Sequence, residues 1–74
     1  MDEIARIYEL IPRRGYPINV VYDINYDAFQ VIWQNPATER KASGTVEPWM
    51  FTDPSLEDFL IQMEDRAHQL LDSP

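Results

Sequence analysis

The chain has 74 residues, of which 45% are apolar, no cysteine and a formal net charge of −7. This length allows one modest hydrophobic core, so we expect a single small domain over residues 1–74. The absence of cysteine excludes disulfides and thiolate-bound metals within the chain. No apolar run approaches the roughly 20 residues that span a bilayer, and the N-terminus lacks a signal pattern. The sequence therefore predicts a soluble, cytoplasmic protein without membrane contact.

The first predicted element is a helix at Asp2–Ile11. Its apolar side chains recur every three or four residues, as on one face of a helix. Pro12 lacks the backbone N–H that would continue the helix, so the helix ends before it. Arg13–Pro17 is predicted to be a connecting loop, because its glycine and proline are typical of loops.

Two strands are predicted next, joined by a tight turn at Asn25-Tyr26. Apolar and polar residues alternate on both sides of this turn. If Ile24 pairs with Asp27, the inward pairs are Tyr22 with Phe29, Val20 with Val31 and Ile18 with Trp33. All three pairs are apolar, and a shift by one residue would destroy the match. The sequence therefore predicts a half-buried antiparallel hairpin in this register.

A third strand is predicted at Glu39–Glu47, after a turn at Asn35–Thr38. Continuing the pairing places Ala42 opposite Val31, Gly44 opposite Phe29 and Arg40 opposite Trp33. The first two pairs set small residues against large ones, which leaves space for a helix above the sheet. The third pair would allow a cation–π contact.

The clearest predicted element is a helix at Asp53–Leu71. Its apolar residues form one stripe at helical spacing, made of Leu56, Phe59, Leu60, Met63, Ala67, Leu70 and Leu71. Thr52 or Asp53 is predicted to cap this helix, with Pro54 in its first turn. If Thr52 is the cap, Phe51 and Leu56 form a hydrophobic staple.

The element order is α-β-β-β-α, so the predicted fold class is α+β: a three-stranded antiparallel meander with both helices on one face. This order and length resemble the double-stranded-RNA-binding fold. In that family lysines at the start of the second helix grip phosphate, and this chain has Asp53, Glu57 and Asp58 there, which would repel it. The strands followed by Thr52–Leu60 (TDPSLEDFL) also resemble small acidic antitoxins with a nuclease-like sheet, which lack a leading helix.

Acidic charge is concentrated in the second half of the chain. Residues 1–41 have six acids and five bases, whereas residues 42–74 have seven acids and one base. An acidic surface is predicted on the second helix, at Glu57, Asp58, Glu64 and Asp65. It increases solubility, and it also suits a basic partner or imitates nucleic-acid phosphates.

Four bases lie in two loops that are predicted to meet at one end of the sheet, beside Tyr16 and Trp33. They are Arg13, Arg14, Arg40 and Lys41. Bases beside aromatic rings can bind single-stranded nucleic acid or an acidic peptide. The alternative is charge balance against the acidic helix, and the net charge argues against direct nucleic-acid binding.

Trp49-Met50-Phe51 is the most conspicuous apolar segment, and it looks too short to form an element of its own. Phe51 is predicted to join the core. Trp49 and Met50 either cover the sheet edge as a lid or anchor a protein partner, since both residue types are favoured at interfaces. Val21 and Ile32 on the outer sheet face, and Ile61 on the helix flank, are further predicted partner-binding residues. A patch continuous with Trp49 would indicate dimerisation or partner contact.

Catalytic groups are not apparent. None of the serines has the sequence context of a nucleophile, and the two glycines do not make a phosphate-binding loop. Glu64, His68 and Asp72 share a helix flank but lack a ligand from a second element, so we predict neither a metal site nor a cofactor. The sequence predicts a small acidic, non-enzymatic protein-interaction module, with a homodimer as one form. The alternatives are an acidic inhibitor that mimics nucleic acid and an antitoxin-like partner protein.

Overall fold

The structure, a computed structural model, describes residues 2–73 and has the predicted order α-β-β-β-α. The elements are α1 (Glu3–Leu10), β1 (Ile18–Asp23), β2 (Ala28–Gln34), β3 (Lys41–Val46), a 3₁₀ helix (Pro48–Thr52) and α2 (Leu56–Asp72). The strands form one antiparallel sheet in the order β1-β2-β3. The predicted α+β meander is confirmed.

The β1–β2 hairpin has the predicted register. Its inward pairs are Ile18 with Trp33, Val20 with Val31 and Tyr22 with Phe29. The ladder ends at Asp23 and Ala28, so the predicted pair of Ile24 with Asp27 does not form. Asp27 adopts a left-handed conformation with φ 48°, and Ile24 is exposed in a four-residue turn. The two-residue turn was therefore the wrong part of this prediction.

The predicted register of β3 is wrong by two residues. The observed partners are Trp33 for Ala42, Val31 for Gly44 and Phe29 for Val46. The connection is longer than predicted because Glu39 adopts a left-handed conformation with φ 63° and the backbone N–H of Asn35 donates to the Arg40 carbonyl. A register shift of an even number of residues keeps the same side chains on the inner face of the sheet. In the observed register Val46 lies opposite Phe29 and is buried in the core.

Arg40 consequently does not face Trp33. It lies in the connection, and its guanidinium donates to the Ser73 carbonyl at 2.6 Å. Asn35 likewise donates to the Leu71 carbonyl at 3.4 Å. The C-terminal end of α2 therefore lies at the start of β3, and α2 runs antiparallel to β3.

Both helices pack on the face of the sheet that carries Trp33, Val31 and Val46, all of them buried. The helix α1 lies against β1, where the backbone N–H of Val20 donates to the Tyr8 hydroxyl at 3.0 Å, and α2 lies along β3. Within residues 2–73, no helix combines the length and the apolar character that crossing a membrane requires.

The start of α2 differs from the prediction. Trp49-Met50-Phe51 belongs to the 3₁₀ helix, so it is an element after all. The helix α2 begins only at Leu56, and Pro54 lies in the turn before it rather than in its first turn. The Asp53 carboxylate binds the backbone N–H and the hydroxyl of Ser55, the residue before the helix, instead of capping the helix.

Candidate functional site: the cleft between α2 and β3

The predicted apolar stripe of α2 is split between the core and the surface. Leu56, Leu60, Ala67 and Leu71 are buried. Phe59 and Leu70, which belong to the same predicted stripe, remain 38% and 54% exposed. The cause is the narrow sheet: β3 is an edge strand, so the side of α2 that faces outward beyond β3 has nothing to pack against.

These two side chains line a cleft of about 210 Å³ along the edge of β3. One wall is α2, with Phe59, Met63 and Leu70 as its apolar residues. The other is the β3 segment from Ala42 to Thr45. The cleft therefore joins an exposed apolar helix flank to an open strand edge.

Gly44 sets the depth of this cleft. A Cβ at this position would lie 2.5 Å from the sulfur of Met63, closer than such contacts occur. The absence of a side chain lets Met63 rest on the β3 backbone. Gly44 thus allows Met63 to approach the β3 backbone closely.

Gly44→Val should destabilise the domain by about 1–3 kcal/mol, because the added methyls overlap Met63 in a packed contact. The double variant Gly44→Val/Met63→Ala should recover much of this loss, since the truncated side chain makes room. Urea denaturation followed by circular dichroism measures both. If the second substitution recovers nothing, the contact with Met63 is not the cause.

The two edges of the sheet differ. In an antiparallel ladder, alternate residues direct their backbone groups toward the neighbouring strand. The backbone N–H of Asn35 donates to the Arg40 carbonyl, so Arg40 directs its backbone groups toward β2. By alternation, Lys41, Ser43 and Thr45 direct their backbone groups away from β2. On β1 the Tyr8 hydroxyl accepts the outward N–H of Val20. An open edge such as β3 is a template for another strand.

A smaller apolar pocket continues the cleft at the start of α2. It is lined by Trp49, Met50, Asp53, Ser55, Leu56 and Phe59, so Phe59 belongs to both. Trp49 is 58% exposed, and its indole donates to the Glu47 carboxylate. Met50 is half-buried against the core.

The other predicted partner-binding residues lie elsewhere. Val21 and Ile32 are on the sheet face opposite the helices, the first exposed and the second half-buried. Ile61 is exposed on the flank of α2 that points away from the cleft. The structure therefore does not join these three residues to Trp49 in one patch.

Of the four residues predicted to form an acidic surface, three are exposed and one is buried. Glu57, Asp58 and Asp65 are exposed, but Glu64 is fully buried. The Nε atom of Arg14 donates to both carboxylate oxygens of Glu64, at 3.1 and 3.2 Å, and His68 Nε2 lies 2.9 Å from one of them. The hydrogen bond to Glu64 raises the pKa of Arg14. Glu64 is thus part of the interior and not of the acidic surface.

The four predicted bases do not form one free basic surface. Arg14 binds Glu64 and Arg40 binds the Ser73 carbonyl. The Arg13 guanidinium lies over the Tyr8 ring, 5.2 Å from its centre. Lys41 is exposed at the start of β3. Three of the four side chains are therefore engaged within the chain.

The helix flank considered for a metal is also engaged. Glu64 binds Arg14, and Asp72 accepts a hydrogen bond from the Tyr16 hydroxyl. Tyr16 also packs against His68, with ring centres 4.8 Å apart. Among residues 2–73, no group of three or more potential ligands is arranged to hold a metal.

The hydrogen bond from Tyr16 to Asp72 raises the pKa of Tyr16 above its ordinary value. Its stabilisation is therefore complete below the unfolded-state pKa of about 10 and is lost as the pH rises through the higher folded-state pKa. Tyr16→Phe should lower the Tm at pH 8, and the difference from wild type should shrink above about pH 10. Tyr26→Phe, at an exposed tyrosine, is the control; a constant difference across pH contradicts this assignment.

Comparison with known proteins gives no significant match: no family model, no curated protein and no solved structure is similar enough to transfer a function. The functional argument therefore rests on the geometry of the chain itself.

Proposed function

We propose that the protein is a non-enzymatic protein-interaction module that binds its partner along the cleft between α2 and β3. The observation that carries this proposal is the position of Phe59 and Leu70. Both are large apolar side chains left exposed beside the open edge of β3. Apolar residues next to unpaired strand edges are typical of sites where a second chain adds to a sheet.

The charge of the cleft supports the same conclusion. The chain has 13 acidic residues, yet none of them lines the cleft. Its one charged lining residue is Arg66, which has no hydrogen-bond or ion-pair partner among the residues that the structure describes. Interface centres are depleted in acids and enriched in arginine, aromatic residues and methionine. The cleft has this composition on an otherwise acidic protein.

The proposal is tested by capture of partners from a lysate of the source organism, at low and high salt. Wild type should retain the same species at both salt concentrations, because an apolar contact is not screened. Phe59→Asp/Leu70→Asp should lose it, whereas Val21→Asp/Ile61→Asp, matched apolar residues outside the cleft, should retain it. Equal retention by both double variants would contradict the proposal. Circular dichroism verifies that each variant is folded.

A second candidate function follows from the outer side of α2. Asp58, Asp65 and Asp72 are all exposed and recur every seven residues along one line of the helix. Such a line can imitate nucleic-acid phosphates and block a nucleic-acid-binding protein. Binding of this kind weakens steeply with salt and competes with DNA or RNA. Binding that survives high salt and is lost in Phe59→Asp/Leu70→Asp would exclude it.

A further inference from the structure

We infer that the occupant of the cleft is a second copy of this chain, joined edge to edge through β3 around a two-fold axis at Ser43. The inference rests on the proposed function and specifies its partner. It follows from two features, the open edge of β3 and the apolar flank of α2. Each of them locates the two-fold axis independently of the other.

The strand layer places the axis at Ser43. The residues that direct their backbone groups outward are Lys41, Ser43 and Thr45, and Ser43 is the middle one. Antiparallel pairing about Ser43 sets it opposite its own copy and sets Lys41 opposite Thr45. All outward N–H and C=O groups of the three residues then find partners. The product is a continuous six-stranded sheet.

The helix layer gives nearly the same axis. Met63 lies over Gly44, and α2 runs antiparallel to β3. Ser43 lies one strand residue, about 3.3 Å, from Gly44. Because α2 is antiparallel to β3, the same distance along α2 is roughly two residues from Met63 toward the C-terminus. This point lies near position 65, and the midpoint of Phe59 and Leu70 also falls between positions 64 and 65. One axis therefore sets Phe59 of each copy opposite Leu70 of the other.

Charge distinguishes this face from the rest of the molecule. Two copies, each with a net charge of −7, repel one another over most of their surfaces. No acid lines the cleft itself, and the adjoining pocket at the start of α2 has one, Asp53. In the helix register above, Arg66 lies opposite position 63 of the second copy, one residue from Gln62, whose amide oxygen can accept a hydrogen bond from the guanidinium.

The assembly closes at two copies. A two-fold interface uses the same surface on both chains. The edges left at the ends of the joined sheet are both β1, where Tyr8 already binds the outward N–H of Val20. Dimerisation through β3 therefore covers the open edge without creating a new one.

The test uses the absence of native cysteine. Ser43→Cys places one thiol per chain at the axis, where directly opposed residues are about 5.5 Å apart between Cα atoms, within disulfide range. Val21→Cys, at an exposed position on β1, is the matched control. With oxidised glutathione, Ser43→Cys should convert to a covalent dimer at least tenfold faster than Val21→Cys. Light scattering of wild type should give twice the chain mass of 8.7 kDa.

Equal cross-linking rates, or a wild-type protein that stays monomeric at millimolar concentration, would overturn the inference. Failure of this inference does not by itself overturn the proposed function. A monomer that still captures a different protein, in a manner lost in Phe59→Asp/Leu70→Asp, would leave the cleft as a binding site for another chain. A dimer that forms equally well with that double variant would place the dimer contact outside the cleft and would overturn the inference.

Discussion

Trp33→Ala should remove a large share of the domain's stability. Trp33 lies on the central strand and is only 1% exposed, among the largest fully buried side chains. Truncating a buried tryptophan costs about 3–5 kcal/mol, because apolar burial is lost and a cavity remains. A domain of this length has roughly 4–11 kcal/mol of stability in total. Urea denaturation followed by circular dichroism should show a large fall in the unfolding midpoint.

Two controls separate this effect from others. Trp33→Phe should cost less, because the indole Nε1 has no hydrogen-bond partner among the described residues and its removal breaks no bond. Trp49→Ala, at the exposed tryptophan, should change the stability of the isolated chain by less than about 0.5 kcal/mol. If Trp33→Ala and Trp49→Ala cost the same, the core is not where we place it.

Arg14→Leu should destabilise the domain clearly more than Arg13→Leu. The Glu64 carboxylate is fully buried, and Arg14 supplies its guanidinium partner. Removing one member of such a pair leaves a buried charge without its main compensation. Within residues 2–73 the Arg13 guanidinium lies over the face of Tyr8 and makes no salt bridge, so it is a matched control for losing an arginine from the same loop. Urea midpoints compare the two variants.

The double variant Arg14→Leu/Glu64→Leu should recover most of the stability that Arg14→Leu loses. Replacing both members of a buried pair by apolar residues is often neutral, because no unpaired charge is left. If Arg14→Leu and Arg13→Leu behave alike, Arg14 is not the main compensation for the buried Glu64 carboxylate.

The sequence predicted the parts of the fold that depend on short-range pattern. Alternation of apolar residues was sufficient for the β1–β2 register, because three apolar pairs fit only one alignment. The β3 register was wrong because it depended on the length of the turn. The left-handed conformation of Glu39 extends that turn, and nothing in the propensity of glutamate indicates it.

The candidate site could be predicted only in part. The spacing of Phe59 and Leu70 marked them as apolar helix residues, but their exposure depends on β3 being an edge with nothing beyond it. Glu64 was misassigned because charge suggests the surface, whereas its partner Arg14 lies 50 residues away in the sequence. Arg66 has no acid three or four residues away on its helix, which agrees with its position in a cleft that no acid lines.

The most direct test of the account is photo-crosslinking in the cells of the source organism. A photoreactive phenylalanine analogue at position 59 probes the cleft, and the same analogue at position 61 probes the opposite flank of α2. We expect a specific adduct from position 59 and none from position 61, and its mass distinguishes a second copy from another protein. Adducts from position 61 alone, or from neither position, would contradict the claim that the cleft between α2 and β3 is the binding surface.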